Sequence, residues 1–243
     1  MKPAFLARKS HKWIALLAGV QGAVWMLSGA YMVVVDLDFI HGDSLVRNLA
    51  EPLPENLGGL YPISSVLQRF PDSYAIQAVS QRNTPRYIVQ RNSSPVLLDA
   101  QSGAVLSPID SEEATLLAQH YYSGSAGVEQ VKRLSDEETK PIELQTTGLP
   151  LWQVTFDDRI NTTFYISPNS GELVVRRHAF WRIFDFLWML HIMDYDDRSQ
   201  VNNNLLRVAA LVGTGMAVSG IWLLFFAFRS RPAPPGNRGA VST

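Results

Sequence analysis

The stretch Phe180–Asp197, FWRIFDFLWMLHIMDYDD, decides how this chain is read. It follows a polar middle region and precedes a long apolar run. Aromatic rings, one histidine (His191) and the closing carboxylates Asp194, Asp196 and Asp197 in one segment suit a membrane surface, where Trp and Tyr rings sit at headgroup level. Its apolar part, Ile183–Met193, is shorter than the roughly 20 residues a spanning helix needs. Trp181, Phe184, Trp188 and His191 recur at helical spacing, while Arg182, Asp185 and Met189 fall on another face. Residues 179–197 are therefore expected to form an amphipathic helix lying in the interface. An Arg182–Asp185 pair is the simplest account of the acid.

Downstream, 198–204 is a polar loop, and Val208–Phe228 is uncharged until Arg229 and Arg231 end it. A transmembrane helix is expected over 205–228. At the other end of the chain, Trp13–Val35 carries no formal charge, which predicts a second span over 13–35. A cleaved signal peptide ending at Ser28-Gly29-Ala30 is the alternative. Signal cores run about 7–15 apolar residues, and this run continues beyond that through Val33-Val34-Val35, so a retained helix is favoured. Small residues recur every fourth position in both spans, at Ala15, Gly19 and Ala23 and at Ala209, Gly213 and Ala217. Such stripes let helices approach closely, either with one another or in a homodimer. Gln21, the strongly polar side chain of the first span, is expected to hydrogen-bond to a neighbouring helix.

The net charge of −1 hides a segregation. Residues 1–12 carry Lys2, Arg8, Lys9 and Lys12 and no acid; residues 229–243 carry Arg229, Arg231 and Arg238 and no acid. All 22 acids lie between them. Basic flanks on an acidic centre match the positive-inside rule with both termini cytoplasmic and the centre on the outer side. An acidic centre repels phosphates, which argues against a nucleic-acid partner. The tail after Pro232 is Pro/Gly-rich and reads as disordered. The chain has no cysteine, which excludes disulfides, thiolate metal sites and a cysteine nucleophile.

Between the spans, residues 36–62 read as an outer-side linker: acids at Asp36, Asp38 and Asp43 stop the membrane, then Pro and Gly dominate 50–62. An α+β unit follows over 63–110, with a helix at Ile63–Phe70 and strands at Tyr74–Val79, Tyr87–Gln90, Val96–Asp99 and Ala104–Leu106. A second unit covers 111–178. It is expected to have helices at Glu112–Tyr122 and Val128–Leu134 and strands at Leu151–Phe156, Thr163–Ser167 and Glu172–Val175. Gln-Ser-Gly103 and Asn-Ser-Gly171 close matching turns, so the two units read as a degenerate repeat.

These residues resemble PepSY domains, small α+β modules first recognised in peptidase propeptides. Ile63-Ser-Ser-Val, Tyr87-Ile-Val and Leu98-Asp-Ala-Gln-Ser-Gly-Ala-Val-Leu106 carry the likeness. Leu151-Trp-Gln-Val and Phe164-Tyr-Ile-Ser-Pro-Asn-Ser-Gly-Glu-Leu173 carry it in the second unit. The ends are similar to PepSY-associated transmembrane proteins at His11-Lys-Trp13, Trp25-Met-Leu-Ser-Gly29, Leu190-His191 and Ser219-Gly-Ile-Trp222. The resemblance covers most of 11–228. It implies a bacterial inner-membrane protein with two passes and a periplasmic PepSY tandem. Such modules bind or inhibit peptidases, or accompany membrane reductases in iron uptake, some of which hold haem between histidines.

Familiar catalytic patterns are missing: no His-Glu-x-x-His, Gly-x-Ser-x-Gly, P-loop or Gly-x-Gly-x-x-Gly occurs. No catalytic residue is expected, and the reading is of a non-enzymatic protein that binds a peptide, a peptidase or a membrane partner. The alternative is an accessory subunit of a redox system. With both termini inside, His41 and His191 share the outer side, each beside carboxylates. Imidazole plus carboxylate suits iron, zinc or manganese, and a histidine pair can ligate haem b. His41 and His191 are then the cofactor ligands, with Asp43 and Asp194 as further metal ligands. The structural alternative is that these acids cap helices and bond within their loops. His11 reads as an interfacial anchor, and His120 and His178 as surface residues. Reporter fusions at residues 110 and 240 are expected to report opposite compartments. The same compartment for both would overturn the two-span topology and the sharing of one side by His41 and His191.

Overall fold

The computed structural model describes residues 3–47, 49–53, 59–144 and 146–227. The chain divides into two compact units. One is drawn from its two ends, up to Ala30 and from Trp188 onward; the other is Tyr31–Leu187.

The first unit holds most of α1 (Pro3–Val34), the end of α5 (Ala179–Ile192) and α6 (Asn204–Ala227). Within these helices Lys12–Val34 and Asn204–Trp222 are long and apolar enough to cross a membrane. Asn203 sets the start of α6: its Oδ1 accepts from Leu206 N at 2.8 Å, and its Nδ2 donates to Ile192 O at 2.8 Å. The stripe expected on α1 does not meet the one on α6. Gly19 and Ala23 are exposed, and a Cβ built on Gly19 would touch nothing within 4 Å. Ala18, Gln21 and Trp25 face α6 instead, across a groove of about 520 Å³ that Ala209 and Gly213 line from the other side. The reason is size, since the Trp25 ring fills the space above Gly213, 3.8 Å from where a Cβ would stand. The helices are held apart there, and Gln21 Nε2 is buried without the expected partner.

The second unit is α+β, with two antiparallel sheets. Sheet one has the order β1-β2-β3, from Ser73–Gln81, Thr84–Arg91 and Val96–Asp99. Sheet two has the order β4-β5-β6-β7, from Val128–Leu134, Leu151–Phe156, Thr163–Ile166 and Leu173–Arg177. Helix α3 (Ile63–Arg69) covers one face of sheet one, where Val66 packs with Tyr87, Val89 and Leu98. Helix α4 (Ser111–Tyr121) is capped by Asp110, whose side chain accepts from Glu113 N at 2.9 Å. It buries Ala114, Leu117, Ala118 and Tyr121, spaced as one helical stripe. This stripe packs in a single core with Ile88 and Leu97 of sheet one and Val154, Phe156, Phe164 and Ile166 of sheet two. The two halves thus share one interior through α4.

Val128–Leu134 is a strand, not the expected helix. Val128, Val131 and Leu134 are spaced by three because a bulge shifts the register between Val128 and Gln130. Val131 then faces the core with α4, while Leu134 turns to the opposite face with Leu144, Leu151 and Tyr165. Strand β1 has the same bulge, between Ser73 and Ala75, and splits Ile76 from Val79 in the same way. Ala104–Leu106 is reduced to a bridge of Val105 with Leu98.

Nor is 36–47 a free linker. Asp36 caps α2 (Leu37–His41), accepting from Phe39 N at 3.0 Å, and Gly42 ends it in the left-handed region at φ 75°. Val46 then bridges to Tyr122, and Arg47 N donates to Tyr121 O at 2.8 Å. Part of the remaining Pro/Gly stretch, 54–58, lies outside the described residues, as does the tail from 228.

The matching turns repeat bond for bond. Gly103 N donates to Asp99 O at 2.9 Å, and Gly171 N to Ser167 O at 2.8 Å. The Asp99 carboxylate accepts from Gln101 N and Ser102 N, and Ser167 Oγ accepts from Asn169 N and Ser170 N. Both glycines have positive φ, 70° and 68°. A Cβ on Gly103 would stand 2.7 Å from the Tyr61 ring, and one on Gly171 2.9 Å from Gln81 Oε1. Gly103→Ala and Gly171→Ala are each expected to destabilise this unit by about 1–3 kcal/mol. Urea denaturation of the detergent-purified chain measures this, and unchanged midpoints would contradict the turn geometry.

Candidate functional site

The C-terminal end of β7 gathers a cluster of charges. Three arginines, Arg176, Arg177 and Arg182, stand on β7 and the first turn of α5. Arg176 pairs with Asp43, and its Nε donates to His41 O at 2.8 Å. Arg182 forks onto Glu143, with Nε at 2.6 Å and Nη2 at 2.9 Å, and Nη1 donates to Asn161 O at 3.1 Å. Glu143 is thus a carboxylate that holds Arg182. The Tyr165 hydroxyl also donates to Glu143, at 2.6 Å, and burial together with that carboxylate raises the phenol above its ordinary range.

Arg177 differs from its neighbours. Its guanidinium lies 3.8 Å from the centroid of the Trp181 ring. Nη1 donates to Arg176 O at 2.8 Å and Nη2 to Glu143 O at 3.3 Å, both neutral carbonyls. Nε is buried without a partner. Burial lowers its pKa, opposed by the fields of Glu143, Tyr165 and Asp185. Arg177 and Trp181 line a mainly polar cleft of about 430 Å³ that runs along Leu173–Arg177, with Thr146, Thr147 and His41 on its walls. Nothing in the sequence singled out this site beyond two consecutive arginines at the end of an apolar strand.

The expected ligand residues are divided between the units. In the second unit, Asp43 is taken by Arg176, and the His41 side chain is exposed beside the cleft. In the first unit, Asp194 is buried and accepts from Asp196 N, Ser199 N and Gln200 N at 3.4, 3.0 and 2.9 Å. These bonds, that from Gln200 first, hold its carboxyl below the usual range. Asp194 organises its own loop. His191 is fixed on α1: Trp25 Nε1 donates to its carbonyl at 2.8 Å, and Ser28 Oγ lies 2.9 Å from Nδ1. The Ser28 hydroxyl also lies within reach of Val24 O at 2.7 Å. Among the described residues no three His, Asp or Glu side chains stand together as a metal site.

His120 and His178 are not surface residues. His120 pairs with Glu51, which also accepts from Ser80 Oγ and Asn83 N, both at 2.9 Å. Burial acts against the charge of Glu51, but these donors outweigh it and hold its pKa low. His178 is fully buried, with Nε2 donating to Phe39 O and Ile40 O at 3.0 and 3.1 Å. It fastens the end of α2 to the residue after β7. Nδ1 is buried and unpartnered, so a second proton has no acceptor. Sequence position alone gave no sign of this burial.

No family model matches this chain, and no curated protein or solved structure shows significant similarity to it.

Burial lowers the pKa of His178 from its ordinary 6.5. Below that value the unfolded chain binds a proton that the folded chain does not, so stability falls as pH drops. Denaturation at pH 7.5 and 5.5 is expected to show a loss that His178→Gln, itself less stable at pH 7.5, reduces. An equal loss in both proteins would contradict the neutral buried imidazole.

Proposed function

We propose that this chain is a two-pass bacterial inner-membrane protein whose Tyr31–Leu187 unit is a periplasmic PepSY-like tandem that binds an extended peptide or the exposed segment of a peptidase or membrane partner. It performs no chemistry of its own. The observation that carries this reading is the second unit's antiparallel sheets, whose edge strand β7 pairs on one side alone among the described residues and is bordered by a polar cleft. Edge strands offer backbone donors and acceptors for β-addition. The titratable side chains around them serve structural contacts: Glu143 holds Arg182, Asp43 holds Arg176 and His178 is locked to α2. The resemblance to PepSY proteins supports the same reading.

A second reading, an accessory subunit of a membrane redox or iron-uptake system with haem b or iron as cofactor, is favoured by His191. A ligating histidine usually has its other ring nitrogen fixed by a hydrogen bond, and Ser28 fixes Nδ1 here. The optical spectrum of the detergent-purified chain separates the two. A binding protein is expected to be colourless, with and without His191→Ala. A Soret band lost in His191→Ala would overturn the first reading in favour of the second.

A further inference from the structure

We infer that the cleft along the open edge of β7 is the docking groove for an extended peptide segment bearing an Asp or Glu side chain, which Arg177 meets. This rests on the peptide-binding reading above and names its site and ligand chemistry.

Three observations converge on this edge. First, among the described residues β7 pairs with β6 alone and is an edge strand of sheet two. The pairing contains a bulge: Tyr165 stands opposite Val175 and Ile166 opposite Leu173, leaving Val174 outside the register. Second, the edge has walls. Thr146, Thr147 and Trp181 wall the cleft along Leu173–Arg177. Third, the charge is incomplete. Arg176 and Arg182 each hold a carboxylate. Arg177 bonds only to neutral carbonyls, and its Nε has no partner. Charge-assisted bonds from arginine to a carboxylate are about twice as strong as bonds to neutral acceptors. A carboxylate entering the groove would therefore replace the carbonyl contacts of a guanidinium already oriented by Trp181. A neutral peptide gains only the backbone bonds of the edge, and a basic one is repelled by Arg177. Arg177 thus selects among extended segments by charge.

A random-dodecamer phage library panned against the full chain in detergent tests this, followed by fluorescence anisotropy with the selected peptides. Selected sequences are expected to be extended and to share an acidic residue. Replacing that residue by its amide is expected to weaken binding about tenfold or more. Arg177→Gln and Val174→Pro, the second blocking the edge without touching the arginine, are expected to do the same. Combining the amide peptide with Arg177→Gln should cost little more than either change alone. If Arg177→Gln fails to fold, the peptide-side change and Val174→Pro decide the matter. Peptides that bind both variants as well as the parent would overturn the β7 site while leaving peptide binding intact. No selection of any peptide would overturn both. Displacement of the peptide by an equal concentration of inorganic phosphate would mark an anion site, and would overturn the peptide groove.

Discussion

The second unit depends on the burial of one helix from both sides. Helix α4 is only eleven residues long, yet Leu117, Ala114 and Ala118 lose all contact with water. Full burial of a leucine contributes about 1.5–3 kcal/mol, and residues of both sheets join α4 in the core that buries it. A polar seam reinforces this packing. Arg86 reaches Glu113 on α4, its Nη1 donates to Gln81 Oε1 at 3.1 Å, and Gln81 Nε2 donates to Ser170 O at 3.0 Å. The seam joins the β1–β2 hairpin of the first half to the Ser-Gly turn of the second. Separating the halves would expose the stripe on α4 and leave buried polar groups unpaired, which is costly.

That shared core gives the β7 edge a fixed frame. Strand β6 places Phe164 and Ile166 against α4 and Tyr165 on the opposite face, so β7 is held in register by a strand buried on both sides. From there the constraints pass outward. His178 ties the end of β7 to α2, Arg176 ties it to Asp43, and Arg182 locks the start of α5 to Glu143. Arg177 is the cation in this group that these contacts leave without a carboxylate. The site's chemistry is therefore a residue of how its neighbours are satisfied.

Much of the architecture was legible in the sequence. The two apolar helices announced themselves by length and lack of charge, and the Ser-Gly turns by a glycine that had to take positive φ. The strand Val128–Leu134 was misread because its apolar spacing of three imitates a helix. A bulge and a switch between two cores produce that spacing, and neither can be seen in one segment alone. The segment 36–47 looked like a linker because the bonds that tie it to the second half go to Tyr121, Tyr122 and Ser123, 74 or more positions away. His178 and Arg177 were opaque for the same reason. The contacts of His178 with α2 and of Arg177 with Glu143 join residues far apart in the sequence, and no local pattern encodes such meetings. Asp43 and Asp194 stood out as acids beside histidines, but each is bound by partners that periodicity does not reveal.

The most direct test of a single body built through α4 is native-state hydrogen exchange of the full chain in detergent, followed strand by strand. One shared core predicts that amides of β2 and of β6 open with the same free energy, and that Leu117→Ala lowers both equally. Exchange of β2 at a lower free energy than β6, with Leu117→Ala affecting only one of them, would mean two independent modules and would contradict the account.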